Sequence, residues 1–292
     1  MELVSAVSAA GGLGTLALTW TDADTALELV AAVRQRTKNP FVANFVLEFE
    51  PAALTSALEA GVPVVTFSWG MPGPLLALAH SFGAVVGVQI GTLDGAKCAL
   101  DAGCDFVICQ GMEAGGHLQS LTPLLSLLPE VIEAAGSVPI IAAGGLVDRE
   151  DVVRVISLGA RAAMLGTRFV ASHESRAHES YKRSLLEAGI PDTVYTKCFD
   201  GGWPGAPHRV LRNKTFTDWD SAGRPPAGRR PGEGDIVARL ESGAPIPRYH
   251  YSPPTCDMRG NALACCLYAG TGVGKIKTLQ SAGELVRELS EG

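Results

Sequence analysis

A glycine-rich turn that ends in histidine is the part of this sequence best suited to chemistry. It runs from Cys109 to His117 and directly follows an apolar run, Phe106–Ile108, which is typical of a buried strand. Gly115 and Gly116 allow the backbone to approach a ligand closely and to adopt positive φ angles. The imidazole of a histidine has a reference pKa of about 6.5, which suits proton transfer near neutral pH. The sequence therefore predicts His117 as a catalytic base beside a bound ligand.

Two further glycine sites follow the last two predicted strands. Ala143, Gly144 and Gly145 come after one strand, and Gly166 and Thr167 come after the next. In β/α barrels the loops after the last two strands often bind phosphate through backbone N–H groups. Turn formation alone would explain either site taken singly. Both sites together, one strand beyond the histidine turn, predict a phosphorylated cofactor.

Seven apolar runs must position these loops, and they alternate with predicted helices. The runs are 14–18, 41–46, 64–67, 85–88, 106–108, 139–142 and 162–165, and the helices are 2–10, 23–37, 51–60, 73–82, 93–102, 122–136 and 149–158. Asp22 and Asp148 are the predicted N-caps of two helices, and glycines follow most helix ends. Each run is continuously apolar, as expected for parallel strands covered on both faces.

This alternation predicts an α/β fold, a TIM-type (β/α)8 barrel. A doubly wound sheet is the structural alternative. No strand precedes the helix predicted over 2–10, so the barrel is expected to lack its first strand.

The chain is predicted to divide into three parts. Residues 1–190 form the cofactor-binding barrel, and residues 191–256 form an irregular, proline-rich excursion that acts as a lid over the barrel mouth. Residues 257–292 supply two helices, over 258–269 and 279–289, that pack back on the barrel. The arginines at 224, 229 and 230 are expected in a solvated loop.

Composition excludes several classes of protein. Apolar residues make up 47% of the chain and the net charge is −6, so a nucleic-acid partner, which requires a basic surface, is not expected. No apolar run is long enough to cross a membrane, and Glu2 replaces the positive charge of a signal peptide. The seven cysteines mostly occupy apolar contexts, which favours reduced thiols and a cytoplasmic location. His173 and His178 are five apart, so no metal site is expected.

Four motifs in this order resemble the nitronate monooxygenase (2-nitropropane dioxygenase) family. They are Gly11–Gly14, Gln110–His117, Ala142–Gly145 and Gly166–Phe169, and the similarity extends over nearly the whole chain. The family consists of FMN-dependent TIM barrels and includes close relatives that are enoyl-acyl-carrier-protein reductases. Two departures stand out: the family's first strand and its loop are absent, and Ala269–Gly272 replaces the common Ala-Gly-Gln.

The resemblance implies a role for each site residue. His117 would be the catalytic base or would orient the substrate. The remaining residues would bind FMN, through the phosphate, through polar contacts or through backbone packing: Asn44, Gln110, Gly115, Gly116, Ala143, Gly144, Gly145, Gly166 and Thr167. For Asn44 and Gln110, an ordinary hydrogen-bonded side chain at a strand end is an equally good interpretation.

The resemblance also implies a reaction. A small nitroalkane or its nitronate would be oxidised with O2 to a carbonyl compound and nitrite, and a homodimer is compatible with the family. One alternative is an NAD(P)H-dependent flavin enoyl-thioester reductase on the same scaffold. The other is a truncated, non-catalytic family member that binds no flavin.

Overall fold

The computed structural model describes residues 1–290 and shows an α/β fold around a curled parallel sheet. The sheet strands are β1 Thr15–Ala17, β2 Val42–Val46, β3 Val64–Ser68, β4 Val85–Ile90, β5 Phe106–Gln110, β6 Ile140–Ala143 and β7 Ala162–Met164. All seven predicted runs therefore form strands. They are continuously apolar because helices cover one face and the opposite face packs inward.

Strand order in the sheet follows chain order from β1 to β7, and every neighbouring pair is parallel. A doubly wound sheet reverses its order at a switch point. That alternative is therefore wrong for the part of the chain that the structure describes. Because all strands run the same way, their carboxyl ends, and the loops that follow them, lie at one edge.

Helices connect the strands of the sheet, and further helices follow its last strand along the chain. They are α1 Glu2–Ala9, α2 Ala23–Arg36, α3 Leu54–Glu59, α4 Pro74–Ser81, α5 Leu93–Asp101, α6 Leu124–Ala135, α7 Arg149–Ser157, α8 Thr167–Val170, α9 Glu179–Glu187, α10 Lys214–Ser221 and α11 Ala282–Ser290. The predicted caps are confirmed: Asp22 accepts a hydrogen bond from the Thr25 N–H at 2.8 Å, and Asp148 forms a capping box with Asp151. None of the helices in residues 1–290 is both long and apolar enough to cross a membrane.

The largest apolar core lies between the sheet and helices α2 to α7. Phe45 on β2 and Phe67 on β3 are fully buried neighbours in this core, with ring centroids 6.2 Å apart. Burying such rings contributes about 1.5–3 kcal/mol each. The core thereby gives the loops at the carboxyl edge a rigid base.

The region after residue 190 is more regular than the sequence analysis expected. It contains β8 Thr193–Thr196, β9 His208–Leu211, β10 Ile236–Leu240, β11 Pro245–Pro247 and β12 Met258–Gly260, with short 3₁₀ helices at Ile190–Asp192, Ala262–Ala264 and Thr271–Lys275. The strands form two antiparallel sheets. They are short and broken by proline and glycine, so the sequence pattern did not reveal them.

Two expectations for this region are wrong. The helix predicted over 258–269 is absent from the structure, because Met258–Gly260 pairs with β10 instead and Gly260 has a φ of +121°. Arg230 is not solvated: its side chain is 7% exposed and its guanidinium bonds the Asp200 carboxylate at 2.7 Å. The last predicted helix is confirmed as α11.

Candidate functional site

Four glycine-containing loops enclose a cavity at the carboxyl edge of the sheet. Its volume is about 140 Å³. The lining residues are Gln89, Gln110, Ala114, Gly115, Ala143, Gly144, Gly145, Leu146, Val147, Met164, Gly166, Thr167, Gly270, Gly272 and Val273. Hydrogen bonds tie the loops together, since the Gly270 N–H donates to Thr167 Oγ1 at 3.0 Å and the Thr271 N–H donates to the Glu113 carbonyl at 3.0 Å.

Glycine is required where these loops approach one another. A Cβ at Gly115 would lie 2.6 Å from the Ala269 carbonyl carbon, and a Cβ at Gly145 would lie 2.8 Å from Glu113 Cβ. Gly145 also has a φ of +70°, which side chains rarely adopt. Gly166 differs, because a Cβ there would meet no atom within 4 Å and would project into open space. The cavity is therefore bounded by exposed backbone.

Seven of the ten predicted site residues line this cavity: Gln110, Gly115, Ala143, Gly144, Gly145, Gly166 and Thr167. Gly116 and His117 follow the lining residue Gly115 in the chain. Asn44 does not line the cavity. It lies in the middle of β2, not at its end, and its Nδ2 donates to Thr66 Oγ1 at 3.0 Å.

Gln110 braces the histidine turn. Its Nε2 donates to the His117 carbonyl at 3.2 Å, and its Oε1 accepts from the Gln119 N–H at 2.8 Å. Both ends of the amide are thus engaged within the protein, although the side chain lines the cavity. The structure places Gln110 as a support for the turn, and contact with a cofactor stays a prediction.

Besides Gln110, strand β9 also supports the histidine turn. Gly116–His117 forms a two-residue strand that pairs with β9, with Gly116 opposite Arg209 and His117 opposite His208. The buried Arg209 guanidinium donates to the Met112 carbonyl through Nε at 3.2 Å and Nη2 at 2.8 Å. These contacts join residues about 90 positions apart, so sequence spacing could not predict them.

His117 has an unpartnered, buried ring nitrogen. Its Nε2 makes no hydrogen bond within residues 1–290 and is shielded from solvent. The ring stacks on Trp203 with centroids 4.1 Å apart, and Trp69, Tyr251 and Tyr268 lie within 6.3 Å. Burial, with a smaller effect of neighbouring His208, lowers the pKa of His117 to about 3. The imidazole is therefore neutral at physiological pH.

Gln89, Gly270 and Gly272 were missed by the sequence analysis. Gln89 is a polar residue near the end of an apolar strand, β4, and the sequence could have revealed it in the same way as Gln110 on β5. Its Nε2 donates to Gln119 Oε1 at 3.0 Å. In the sequence, Gly270 and Gly272 stand out only as part of a departure from the family motif. Their role depends on a contact between chain segments far apart in sequence.

The cavity fits the phosphate end of a cofactor such as FMN. Its walls are loop backbone, and Gly166 leaves space that a side chain would fill. Its volume is below the roughly 300–1,000 Å³ of sites that enclose a whole drug-sized ligand. The enclosed part therefore suits a phosphate group and adjoining atoms. Within residues 1–290, no group of three histidine, cysteine, aspartate or glutamate residues is arranged to hold a metal ion.

Comparisons with known proteins identify the family. The family model described as nitronate monooxygenase matches residues 51–292. A nitronate monooxygenase from Pseudomonas aeruginosa is 29% identical, with 99% of this chain and 91% of that protein covered. The structure of a nitroalkane oxidase from Streptomyces ansochromogenes superposes with a TM-score of 0.79 at 29% identity, covering 99% of this chain and 90% of that one.

A further relative carries a different name. The (3aS,4S,5R,7aS)-5-hydroxy-7a-methyl-1-oxo-octahydro-1H-indene-4-carboxyl-CoA dehydrogenase of Mycobacterium tuberculosis is 35% identical over 76% of this chain, and the chain spans 62% of its length. The matching family model covers far more than half of the residues, and the fold agrees with it. The chain belongs to the nitronate monooxygenase family.

Proposed function

We propose that this protein is an FMN-dependent oxidoreductase that converts small nitroalkanes or their nitronates, with O2, into carbonyl compounds and nitrite. The observation that carries the proposal is His117, which lies two residues after the cavity-lining Gly115 and has a buried ring nitrogen, Nε2, without a hydrogen-bond partner. The reaction balances when two nitroalkanes and one O2 give two carbonyl compounds and two molecules of nitrous acid. Family membership supports this class of chemistry.

FMN would be held mainly by backbone. Gly144, Gly145, Gly166 and Thr167 would bind its phosphate, with Ala143 in the same loop. Gln110, Gly115 and Gly116 would lie along the cofactor on the side of the histidine turn, and Asn44 would contact it only if its bond to Thr66 breaks. When bound, the flavin supplies the redox chemistry that the protein side chains lack.

The protein supplies the proton acceptor. His117 Nε2 would take the proton from the carbon next to the nitro group. Because burial disfavours the imidazolium that forms, the negative charge of the developing nitronate would have to stabilise it. The aromatic rings around it exclude water, which strengthens interactions with the developing nitronate. A preformed nitronate needs no such step.

The second candidate is a flavin-dependent reductase of enoyl thioesters that uses NAD(P)H. The Mycobacterium tuberculosis relative, which is named as a dehydrogenase of a CoA thioester, favours this alternative. A non-catalytic protein without flavin is the third. All three candidates share the glycine turn and differ in the ligand and electron source.

One assay series separates the three candidates. The full chain is purified and its visible spectrum recorded; we expect flavin absorption bands. Oxygen uptake and nitrite release are then measured with propyl-1-nitronate and nitroethane, and NADH or NADPH oxidation is measured with an enoyl-CoA. Nitrite release without a nicotinamide supports the proposal. Nicotinamide oxidation that depends on the thioester overturns it in favour of the reductase, and a colourless protein that takes up no FMN overturns both.

A matched pair of variants tests the cavity itself. Gly166→Val would fill the cavity without backbone strain, because Gly166 has a φ of −105° and open space at its Cβ. We expect FMN binding to weaken by about 1–3 kcal/mol, or roughly 5- to 150-fold. Gly189→Val is the control, since Gly189 has a φ of −108° and lies outside the cavity lining. Equal FMN affinity in both variants, measured by flavin fluorescence, would show that this cavity is not the binding site.

The remaining expectations from the sequence stay predictions. They are a TIM-type (β/α)8 barrel that lacks its first strand, the division at residues 190 and 256, a lid function for 191–256, cytoplasmic location and a homodimer. The family and the curled parallel sheet support the barrel class.

A further inference from the structure

Four aromatic side chains form a cage around the His117 ring: Trp69, Trp203, Tyr251 and Tyr268. Their ring centroids lie 6.2, 4.1, 6.3 and 5.4 Å from that of the imidazole. They come from four separate segments of the chain, so only folding assembles the cage. The reaction proposed above assigns no role to any individual ring.

Trp203 is the cage residue in closest contact with His117. The two rings stack with an interplanar angle of 29°, and the Trp203 side chain is 5% exposed. The stacked indole covers one face of the imidazole, and Nε2 is shielded from solvent. The indole therefore contributes to closing the space around the imidazole.

The loop that carries Trp203 is held in place. The Trp203 N–H donates to the Asp200 carbonyl at 3.0 Å. The Asp200 carboxylate accepts hydrogen bonds from the Gly205 N–H at 3.2 Å and from Arg230 Nη1 at 2.7 Å. The Asp200 and Arg230 side chains are only 17% and 7% exposed. The buried ion pair fixes the start of the loop, and so the indole has a defined position.

Trp69 also supports the indole. Its ring contacts that of Trp203 edge to face, with centroids 4.8 Å apart. Trp69 also follows the end of β3 with a φ of +59°, a left-handed conformation that is costly for a bulky residue. Such conformations persist where the surroundings over-determine them, and they cluster at functional sites.

We propose that Trp203 determines substrate specificity by closing the space beside His117 Nε2. With the indole in place, unbranched nitroalkanes can lie against it, whereas branched or cyclic ones cannot reach the imidazole. The identity of the substrates rests on the function proposed above. The closure of His117 does not, because it is a property of the protein without cofactor or substrate.

Access to His117 is tested by chemical modification of the full chain. Wild type, Trp203→Ala and Trp20→Ala are treated with diethyl pyrocarbonate at pH 7, and modification of each histidine is followed by peptide mass spectrometry. Trp20 is the matched control because its ring belongs to the same aromatic network but is 55% exposed, with its closest rings on Phe49 and Tyr251. We expect His117 to react about tenfold faster in Trp203→Ala alone, corresponding to about 1.4 kcal/mol of protection. Equal rates in all three proteins would overturn the proposal.

Specificity is tested separately with substrates. The ratio of kcat/KM for nitrocyclohexane to that for 1-nitropropane should rise by about 10- to 200-fold in Trp203→Ala, the range typical of extra carbon atoms in an apolar pocket. If circular dichroism shows that this variant is unfolded, Trp203→Phe replaces it and should give intermediate values. An unchanged ratio in a folded variant would overturn the specificity role. Absence of nitrite release by wild type would overturn the proposed reaction, while the modification experiment would still decide whether Trp203 closes the site.

Discussion

Two histidines that face each other across one strand pair show how burial leads to different roles. His117 and His208 are direct partners in an antiparallel register, with ring centroids 5.5 Å apart. Burial lowers the pKa of both, to about 3 for His117 and about 4 for His208. Both imidazoles are thus neutral near pH 7, and neutrality alone does not distinguish them.

Hydrogen bonding distinguishes the two rings. His208 Nδ1 donates to the Ala206 carbonyl at 3.0 Å, and its Nε2 accepts from the Phe199 N–H at 3.2 Å. Both nitrogens are satisfied, and the side chain is fully buried. His117 Nε2 has no such partner. We infer that His208 stabilises the fold, whereas the unpartnered nitrogen of His117 is available for the proposed reaction.

The largest expected effect is on activity at His117. His117→Ala should lower kcat/KM for a nitroalkane by about 10²–10⁴-fold, because general base catalysis contributes about that much. Turnover of the preformed nitronate should change much less, since no proton has to be removed. Oxygen uptake with each substrate measures both. Equal losses with both substrates would contradict the assignment of His117 as the base.

The next effect is on stability at His208. His208→Ala removes two buried hydrogen bonds and leaves a cavity, so we expect the free energy of unfolding to fall by about 3 kcal/mol. Urea unfolding followed by circular dichroism measures this change. His173→Ala is the control, because His173 is exposed. A loss no larger than that of the control would show that His208 is not structural.

A smaller effect concerns pH. The folded-state pKa of His208 is depressed to about 4, whereas the unfolded chain binds the proton near 6.5. Stability is therefore lost as the pH falls through this window, by about 2 kcal/mol between pH 7 and pH 5 from this residue. In His208→Ala, the fall in the free energy of unfolding between pH 7 and pH 5 should be smaller than in wild type by that amount. Urea unfolding of both proteins at each pH measures the difference. Parallel pH dependence in the two proteins would mean that His208 is not buried as a neutral ring.

The smallest effect has the opposite sign. His117→Phe keeps a ring against Trp203 and removes the unpartnered Nε2, so we expect the free energy of unfolding to rise by about 1 kcal/mol. Activity with nitroalkanes should be lost. His208→Phe, which breaks two hydrogen bonds at the facing position, should instead destabilise the protein. If both phenylalanine variants are destabilised equally, the contrast between the two histidines does not hold.

The sheet could be predicted because its information is local. Continuous apolar runs, the caps Asp22 and Asp148, and glycines at helix ends are all readable within a few residues, and the structure confirms them. The region after residue 190 could not be predicted in the same way. Its strands are three to five residues long and are stabilised by pairing with distant segments, as at Met258–Gly260. The local pattern there predicts a helix, whereas the structure forms a strand that pairs with another segment.

Local patterns in the sequence predict which loops carry the candidate chemistry, because glycines after apolar strands allow close backbone approach and a histidine among them can transfer a proton. The sequence also indicated the family, which the comparisons show. The burial, pKa and hydrogen bonding of His117 depend on tertiary packing. Arg209, His208 and Trp203 come from segments about 90 residues away, and their packing buries the His117 ring, lowers its pKa and leaves Nε2 without a partner. Burial and hydrogen bonding depend on such distant contacts, and a linear pattern does not contain them.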